Sequence, residues 1–338
     1  MNHREVYLDH VKGLAILLML FAHTLAGDVF PRLYISSFHM QVFFVICGIL
    51  IGRKNQKEPV RIRSGFVPAV KKRIVQLGVP YLVFCALLTG FYCALNLIAG
   101  KEAGVQKYLF RIVTLQGIDS MWFIPVFFFA ELLMLLLLCM KRGRYAALGL
   151  SAAVILGTIL ISDRMPESPA LRLAVKTMIS FVFVTWGYEM ERSRILDRIP
   201  LTISILMIIA GAALARFNGF AAIGSLETGK SALLFYFDAA VTSTAILALF
   251  RRAEHSDRFR AGWLAWIGRN TIVILCTNNL LIETIRLLDH KLTGDVLLRT
   301  GIWGSLLFTG ILILLEIPLM HLAEGPLGPV FGKQEKKG

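Results

Sequence analysis

Long apolar runs dominate this sequence and restrict what it can fold into. A helix needs about 20 predominantly apolar residues to cross the hydrocarbon core of a bilayer, and ten stretches of the chain approach that length. Hydrophobic residues make up 56% of the chain and charged residues only 17%, whereas a soluble domain carries about 25% charged residues. The predicted spans are 11–28, 34–52, 79–99, 121–140, 145–162, 171–189, 200–217, 231–250, 263–283 and 300–320.

The connections between these runs are short and leave no room for a separate soluble domain. The sequence therefore predicts an all-α fold, a single polytopic helical membrane bundle over residues 1–338 with about ten transmembrane helices. Within it, the basic segment 53–78 is expected to be a cytoplasmic loop with an amphipathic part. A cleaved signal peptide is not expected, because Asp9 and Lys12 crowd the start of the first run and His23 interrupts it.

The positive charge is distributed unevenly along the chain. A net charge of +14 would suit a nucleic-acid-binding protein. If the connections alternate between two sides from an inner N-terminus, however, the inner ones hold 23 Lys and Arg and the outer ones 12. This bias predicts cytoplasmic N- and C-termini, and basic residues that face anionic lipid need no nucleic acid to explain them. We expect a multi-pass protein of the plasma (inner) membrane, with no indication of its oligomeric state.

Three ionisable residues of the first run share one face of the predicted helix. At 100° per residue, the eleven steps from Lys12 to His23 make three turns with about 20° left over, and Asp9 lies within about 40° of the same line. His23 is about 16 Å further along the axis than Lys12. Ionisable groups in a membrane cost roughly 2.5–3.5 kcal/mol each on insertion scales, so they usually face a functional interior.

The second run carries His39 at nearly the same depth as His23. The connection between the two helices is short, which predicts that they are neighbours in space, so the two histidines are expected to meet. A histidine that merely ties two helices together is the alternative for His39. Paired histidines also bind zinc, but no carboxylate or thiol of suitable spacing joins them, and the five cysteines lack CxxC spacing. We therefore expect no metal.

The first fifty residues resemble a known family. The stretches YLDHVKGLAILLMLFAHT and ISSFHMQVFFVICGILIGRK are similar to the membrane acyltransferase-3 family, whose small members include fucose 4-O-acetylase-like and other sugar O-acetyltransferases. Its pattern is D-x-x-[RK]-G, an apolar stretch that ends in His, and then F-H-[MIV]-P-[LV]-F-F-x-x-S-G. The matching residues are Asp9, Lys12, Gly13, His23, Phe38, His39, Met40, Val42, Phe43, Phe44 and Gly48.

The sequence departs from this pattern at a few positions. Gln41 stands where proline is common, and Cys47 stands where serine is common. Further along, VKKRIVQLGVPYLVF, SMWFIPVFFFAELL, WIGRNTIVILCTNNLL and EIPLMHLAEGPLGPVFGK are similar to the family more loosely. Gln76 replaces the second arginine of a frequent R-x-x-R pair that begins at Arg73, and Asn278 falls where a histidine is common.

The resemblance implies transfer of an acyl group, usually acetyl from acetyl-CoA, to a hydroxyl of a sugar or glycan. The candidate catalytic residues are then His23, His39 and Asp9. A neutral imidazole in a partly dry site suits a general base, so we assign that role to His23. His39 is assigned as an orienting group, an acceptor-binding group or an oxyanion donor, and Asp9 is expected to pair with Lys12 or another nearby cation. A covalent acyl-histidine relay remains open.

Cations near the inner face are the candidates for holding the CoA phosphates, because charge-assisted hydrogen bonds to phosphate are strong. They are Lys12, Arg53, Lys54, Lys71, Lys72 and Arg73. Topology signalling and lipid contact are the alternative for this basic segment. The candidates for substrate binding are Glu131, Trp122, Asn270 and Asn278, for which interface anchoring, helix capping and helix bridging are the alternatives.

Two other classes of function stay open at this point. A proton-coupled transporter or flippase of a glycan or small solute would also carry buried His, Asp and Glu side chains. The sequence shows no pair of Gly- or Pro-interrupted half-helices in corresponding positions, which such transporters often have. An inactive binding or assembly protein is the third option.

Overall fold

The computed structural model of the protein describes residues 6–161, 166–255, 261–294 and 301–333. In these ranges the chain is almost entirely helical. Its α-helices are α1 Val6–Thr24, α2 Phe30–Phe38, α3 Gln41–Lys57, α4 Val67–Arg73, α5 Val79–Ile98, α6 Val105–Val113, α7 Phe123–Leu138, α8 Gly143–Ile161, α9 Pro169–Ser193, α10 Ile195–Arg198, α11 Leu201–Asn218, α12 Ala232–His255, α13 Gly262–Arg269, α14 Thr271–Thr293 and α15 Gly301–Glu324.

Ten helical stretches of the described chain are long and apolar enough to cross a membrane. Each overlaps one of the ten runs that the sequence predicts, so the all-α polytopic fold is confirmed. The stretches are 6–24, 30–57, 64–98, 119–138, 143–161, 169–193, 201–218, 232–254, 271–293 and 301–324. Many of their large apolar side chains are exposed on the outside of the bundle, as expected of surfaces that face lipid tails.

The basic segment 53–78 is more helical than expected. Its first residues, up to Lys57, complete α3. After an extended turn, the chain is helical again from Ile62, with two π-helical parts, Ile62–Phe66 and Ile74–Gly78, on either side of α4. The helical stretch that contains the third predicted span therefore begins at Ser64, upstream of residue 79. The amphipathic part of this segment leads without interruption into α5.

The second span is broken in its middle. Helix α2 ends at Phe38, His39 and Met40 form a turn, and α3 begins at Gln41. The backbone N–H of His39 still donates to the carbonyl of Ile35, 3.0 Å away. The interruption falls at the histidine that the motif singles out, and the His39 ring is buried inside the bundle.

Glycines allow two of the central helices to touch. Helices α3 and α9 cross where Gly48 faces the backbone of Val184 and Gly187 faces that of Val45. A Cβ atom on either glycine would lie 1.9 Å from a carbonyl oxygen of the other helix. Only a residue without a side chain permits this approach, which is a common way to pack helices in a membrane.

A short β-hairpin covers one end of the bundle. Strands β1 (Ala221–Ala222) and β2 (Glu227–Thr228) pair antiparallel. They are held by Asn218, whose side chain donates to the carbonyl of Thr228 and accepts from the N–H of Ser231. The hairpin lies against α2, close to the break in the second span.

Candidate active site

Two cavities lie end to end inside the bundle. The first has a volume of about 580 Å³ and is lined by lysines, and we call it the lysine cavity. The second has a volume of about 390 Å³, contains both motif histidines and is called the histidine cavity. Met40 and Leu275 line both of them. The two cavities are therefore neighbours that share part of their wall.

The same helix faces run along both cavities. On α1, Lys12 and Ile16 line the lysine cavity, and Met19 and His23 line the histidine cavity. These residues are spaced three or four apart, so they form one stripe of the helix. The structure thus confirms that Lys12 and His23 share a face, and Met40 of the neighbouring span lines the same two cavities.

The lysine cavity combines a charged end with an apolar wall. Its cations are Lys12, Lys54, Lys72 and Arg73, and most of its remaining lining consists of aliphatic and aromatic side chains. The Lys12 ammonium lies 2.7 Å from a carboxylate oxygen of Asp9, which is buried. The predicted pairing of Asp9 with Lys12 is therefore present in the structure. Asp9 itself is not among the described residues that line either cavity.

Arg73 makes an ion pair in the wall of the lysine cavity. Its guanidinium lies 2.8 Å from a carboxylate oxygen of Glu131, and it also donates to the side chain of Gln76 at 3.0 Å. Glu131 is buried, and both partners line the cavity. The carboxylate thus orients Arg73, and it reduces the charge that the arginine presents to an anion.

Two of the six predicted phosphate-binding cations lie elsewhere. Arg53 is 3.1 Å from a carboxylate oxygen of Glu191 and donates to the hydroxyl of Tyr7 at 2.7 Å. Lys71 is exposed, and neither it nor Arg53 is among the described residues that line the lysine cavity. Arg53 therefore connects α3 to α1 and α9 rather than facing the cavity.

The two histidines face the second cavity in different ways. His39 is buried, and its Nδ1 lies 2.7 Å from the carbonyl oxygen of Ile35. Since a carbonyl only accepts, Nδ1 must carry the proton, which leaves Nε2 of the neutral ring as a hydrogen-bond acceptor. His23 is exposed to the cavity, and the two rings are close enough to interact electrostatically.

Polar groups form the opposite wall of the histidine cavity. Ser120, just before α7, donates to the carbonyl of Leu275 at 2.9 Å and accepts from the side chain of Asn279 at 2.7 Å. Asp119 accepts a hydrogen bond from the hydroxyl of Tyr92. The hairpin closes this wall with residues 222–225. The wall offers hydrogen-bonding groups suited to a hydroxyl-rich molecule.

The four predicted substrate-binding residues do not line one common cavity. Glu131 lines the lysine cavity and Trp122 the histidine cavity. Asn278 is fully buried next to the histidine cavity, where its amide donates to carbonyls of its own helix, and the neighbouring Asn279 lines the cavity instead.

Asn270 belongs to a structural cluster and is not among the described residues that line either cavity, although the next residue, Thr271, lines the lysine cavity. It stands between α13 and α14 and donates to a carboxylate oxygen of Glu324 at 2.8 Å, and the ammonium of Lys333 donates to it in turn. Burial lowers the pKa of Lys333, an effect that the Glu324 carboxylate partly offsets. The Asn270 side chain makes no capping hydrogen bond at the start of α14, so these contacts tie the α13–α14 junction to the end of α15 and the segment after it.

The sequence did not single out several residues of the histidine cavity. Arg32, Ser36, Asp119 and Ser120 all line it. They lie in or near connections between predicted spans, where polar residues are ordinary, so no pattern distinguishes them. Among the described residues, no group of three or more His, Cys, Asp or Glu side chains could hold a metal ion.

Comparison with known proteins agrees with the motif. The sequence model of the acyltransferase-3 family, described as an acyltransferase domain, matches residues 5–321. The chain belongs to the acyltransferase-3 family. It is a multi-pass membrane acyltransferase, and the lysine and histidine cavities lie among the residues that carry the family pattern.

One curated relative of this acyltransferase is the nodulation protein NolL of Sinorhizobium fredii (strain NBRC 101917 / NGR234). The two proteins are 29% identical over 136 residues, which is 36% of this chain and 34% of the relative. The match thus covers about a third of the relative's length. No solved structure matches the acyltransferase.

Proposed function

We propose that the protein transfers an acetyl group from acetyl-CoA to a hydroxyl of a sugar or glycan in the plasma (inner) membrane. One observation carries this proposal: a lysine-lined cavity and a histidine-lined cavity meet at Met40 and Leu275. A charged donor head and a polar acceptor can occupy separate spaces, and their reacting atoms can meet between them.

The lysine cavity suits the donor. Lys12, Lys54 and Lys72 provide ammonium groups for the phosphates of CoA. Beyond them, Phe43, Ile124 and other apolar side chains line the way to Met40, as a thin acyl-bearing arm requires. The eleven residues from Lys12 to His23 correspond to about 16 Å along α1, which is comparable with the length of an extended pantetheine arm.

The histidine cavity suits the reaction. In the proposed mechanism His23 accepts the proton of the acceptor hydroxyl while its oxygen attacks the thioester carbonyl. The new C–O bond forms, the C–S bond breaks, and the proton passes to the departing CoA thiolate. General base catalysis of this kind contributes roughly 10²–10⁴-fold. His39, whose Nδ1 is held by Ile35, is proposed to orient His23 through its Nε2 acceptor.

The membrane orientation follows from the donor. CoA is cytoplasmic, so we place the lysine cavity and both termini on the cytoplasmic side, in agreement with the bias of Lys and Arg along the chain. The histidine cavity then lies toward the opposite side of the membrane. An acceptor that docks there is extracytoplasmic, as an envelope glycan is.

Transfer from labelled acetyl-CoA by the purified protein in nanodiscs tests the proposal. His23→Ala is expected to abolish transfer to sugar and release to water while the protein stays folded. His290→Ala is the matched control, because His290 is exposed at the end of α14 and lines neither cavity in the described chain. Full activity of His23→Ala overturns the assigned mechanism. Proton-driven solute uptake without acyl transfer supports the transporter alternative, which the family membership disfavours.

A further inference from the structure

A cluster of cations lies behind the polar wall of the histidine cavity. Lys176 of α9 is only 6% exposed, and its ammonium lies 4.9 Å from the centre of the Trp122 ring. Trp122 lines the cavity. The ring therefore stands beside the lysine on one side and belongs to the cavity wall on the other.

Lys176 is surrounded by charges of its own sign. The charged groups that act on it are Arg172, one turn earlier on α9, and Arg111 of α6. Within the part of the chain that the structure describes, no carboxylate lies within ion-pair distance of Lys176, and its ammonium makes no hydrogen bond there. A buried cation normally has a compensating partner, because desolvation of an unpaired charge is costly.

The neighbouring arginines connect this cluster to the cavity through its backbone. Arg172 donates to the carbonyl of Ser225, which lines the cavity, at 3.4 Å. Arg111 donates to the carbonyl of Gly117 at 2.9 Å, just before the Asp119–Trp122 turn. Both guanidiniums thus donate to neutral carbonyls, and neither makes an ion pair with a carboxylate in the described part of the chain. Arg32 adds a further cation directly in the lining.

We propose that Lys176, with Arg172 and Arg111, forms an anion subsite beside the histidine cavity, so that the acyl acceptor is an acidic sugar rather than a neutral one. The anion is a phosphate ester or a carboxylate of the acceptor. Its negative charge supplies the partner that Lys176 lacks among the described residues, while the sugar ring lies against Trp122 with its hydroxyl toward the histidines. This inference rests on the proposed function for the identity of the acceptor site.

Binding of small sugars to the purified protein tests this subsite without requiring catalysis. The probes are glucose 1-phosphate, glucuronate and glucose, each titrated calorimetrically into the protein in nanodiscs. We expect one or both acidic sugars to bind at least tenfold more tightly than glucose. A preference for glucose 1-phosphate identifies a phosphate subsite, and a preference for glucuronate identifies a carboxylate subsite.

Substitutions of Lys176 test whether the preference for acidic sugars depends on this cluster of cations. Lys176→Met keeps the apolar stem and removes the charge, so it should remove the preference for the acidic sugar and leave glucose binding unchanged. Lys176→Arg should restore it in part. Lys230→Met is the matched control, because Lys230 also lies over an aromatic ring, that of Phe217 at 5.3 Å, but Phe217, unlike Trp122, is not among the described residues that line either cavity.

Two results overturn the subsite. One is equal binding, or no binding, of acidic and neutral sugars by the folded protein. The other is a preference that survives Lys176→Met, with thermal unfolding used to check that the variant is folded. Failure of acetyl transfer alone would contradict the proposed function but leave a measured preference for acidic sugars intact, so the two failures can be distinguished.

Discussion

Met40 and Leu275 each line both the lysine cavity and the histidine cavity. Met40 lies in the break of the second span and Leu275 in the first half of α14. The acyl group must pass between these two side chains if donor and acceptor enter from opposite ends. If the acyl group takes this path, we expect the size of these two side chains to affect the rate of transfer although neither takes part in the chemistry.

Enlarging either residue should close this passage. We expect Leu275→Trp to reduce acetyl transfer at least 100-fold while the Kd for acetyl-CoA changes less than threefold, because the lysines that hold the phosphates are untouched. Initial rates and calorimetric titration measure the two quantities. Met40→Leu, which conserves volume, is the control and should remain active. Normal transfer by a folded Leu275→Trp protein would show that the acyl group takes another path.

The fixed ring of His39 leads to a second prediction. In His39→Asn, the shorter amide keeps a donor where Nδ1 lies and can still reach the carbonyl of Ile35, but the Nε2 acceptor is lost. We expect the fold to be retained and transfer to fall about 100-fold, within the range of lost acid–base assistance. The measurement is kcat together with the thermal unfolding midpoint. A variant with wild-type kcat would assign His39 a structural role only.

The features that the sequence predicts correctly depend on the thickness of the bilayer and on the helical repeat. Apolar runs of bilayer length predicted all ten spans, and the helical repeat predicted that Lys12 and His23 share a face, which the linings of the two cavities confirm. The Asp9–Lys12 pair follows from the same repeat, since the two are one turn apart.

Other features depend on tertiary contacts that no local pattern records. The break at His39 could not be predicted from a glycine or proline, because neither residue occurs there. Gln41 stands where the family pattern commonly has proline. Asn279 rather than Asn278 lines the histidine cavity, a difference of one residue that only the packed orientation of α14 decides. Lys176 appeared in the sequence as one more positive charge near the start of a span.

The lysines of the first cavity should control the affinity for the donor. We expect Lys54→Gln and Lys72→Gln each to raise the KM for acetyl-CoA about tenfold, since a charge-assisted hydrogen bond contributes roughly 1.5–3 kcal/mol, and to weaken its dependence on salt. Lys57→Gln is the control, because Lys57 is exposed and outside the lining. If both variants keep the wild-type KM, these lysines serve topology or lipid contact instead.

The ion pair between Arg73 and Glu131 should matter for stability. Glu131→Gln leaves the guanidinium without its charged partner, and loss of one partner from a buried pair costs about 3–5 kcal/mol. Because the Arg73 side chain is 33% exposed, we expect a loss at the lower end of that range. Adding Arg73→Gln should recover part of it, as measured by thermal unfolding of the two single variants and the double variant. Simple addition of the two single effects would show that the residues are not coupled.

The glycine crossing of α3 and α9 should tolerate no side chain. A Cβ on Gly48 or Gly187 would overlap a backbone carbonyl of the other helix at 1.9 Å, and backbone cannot rotate away as a side chain can, so the helices must separate. We expect Gly48→Ala and Gly187→Ala to lower the unfolding midpoint strongly or to prevent recovery of a monodisperse protein. Since Met40 directly precedes α3 and Lys54 lies near the end of this helix, any protein recovered should also transfer acetyl more slowly. Gly149→Ala in α8 is the control, because nothing lies within 4 Å of its added methyl group, and replacing a helical glycine in open space should stabilise the helix by about 1 kcal/mol. Equal midpoints for the Gly48 and Gly149 variants would mean that α3 and α9 are not held in contact.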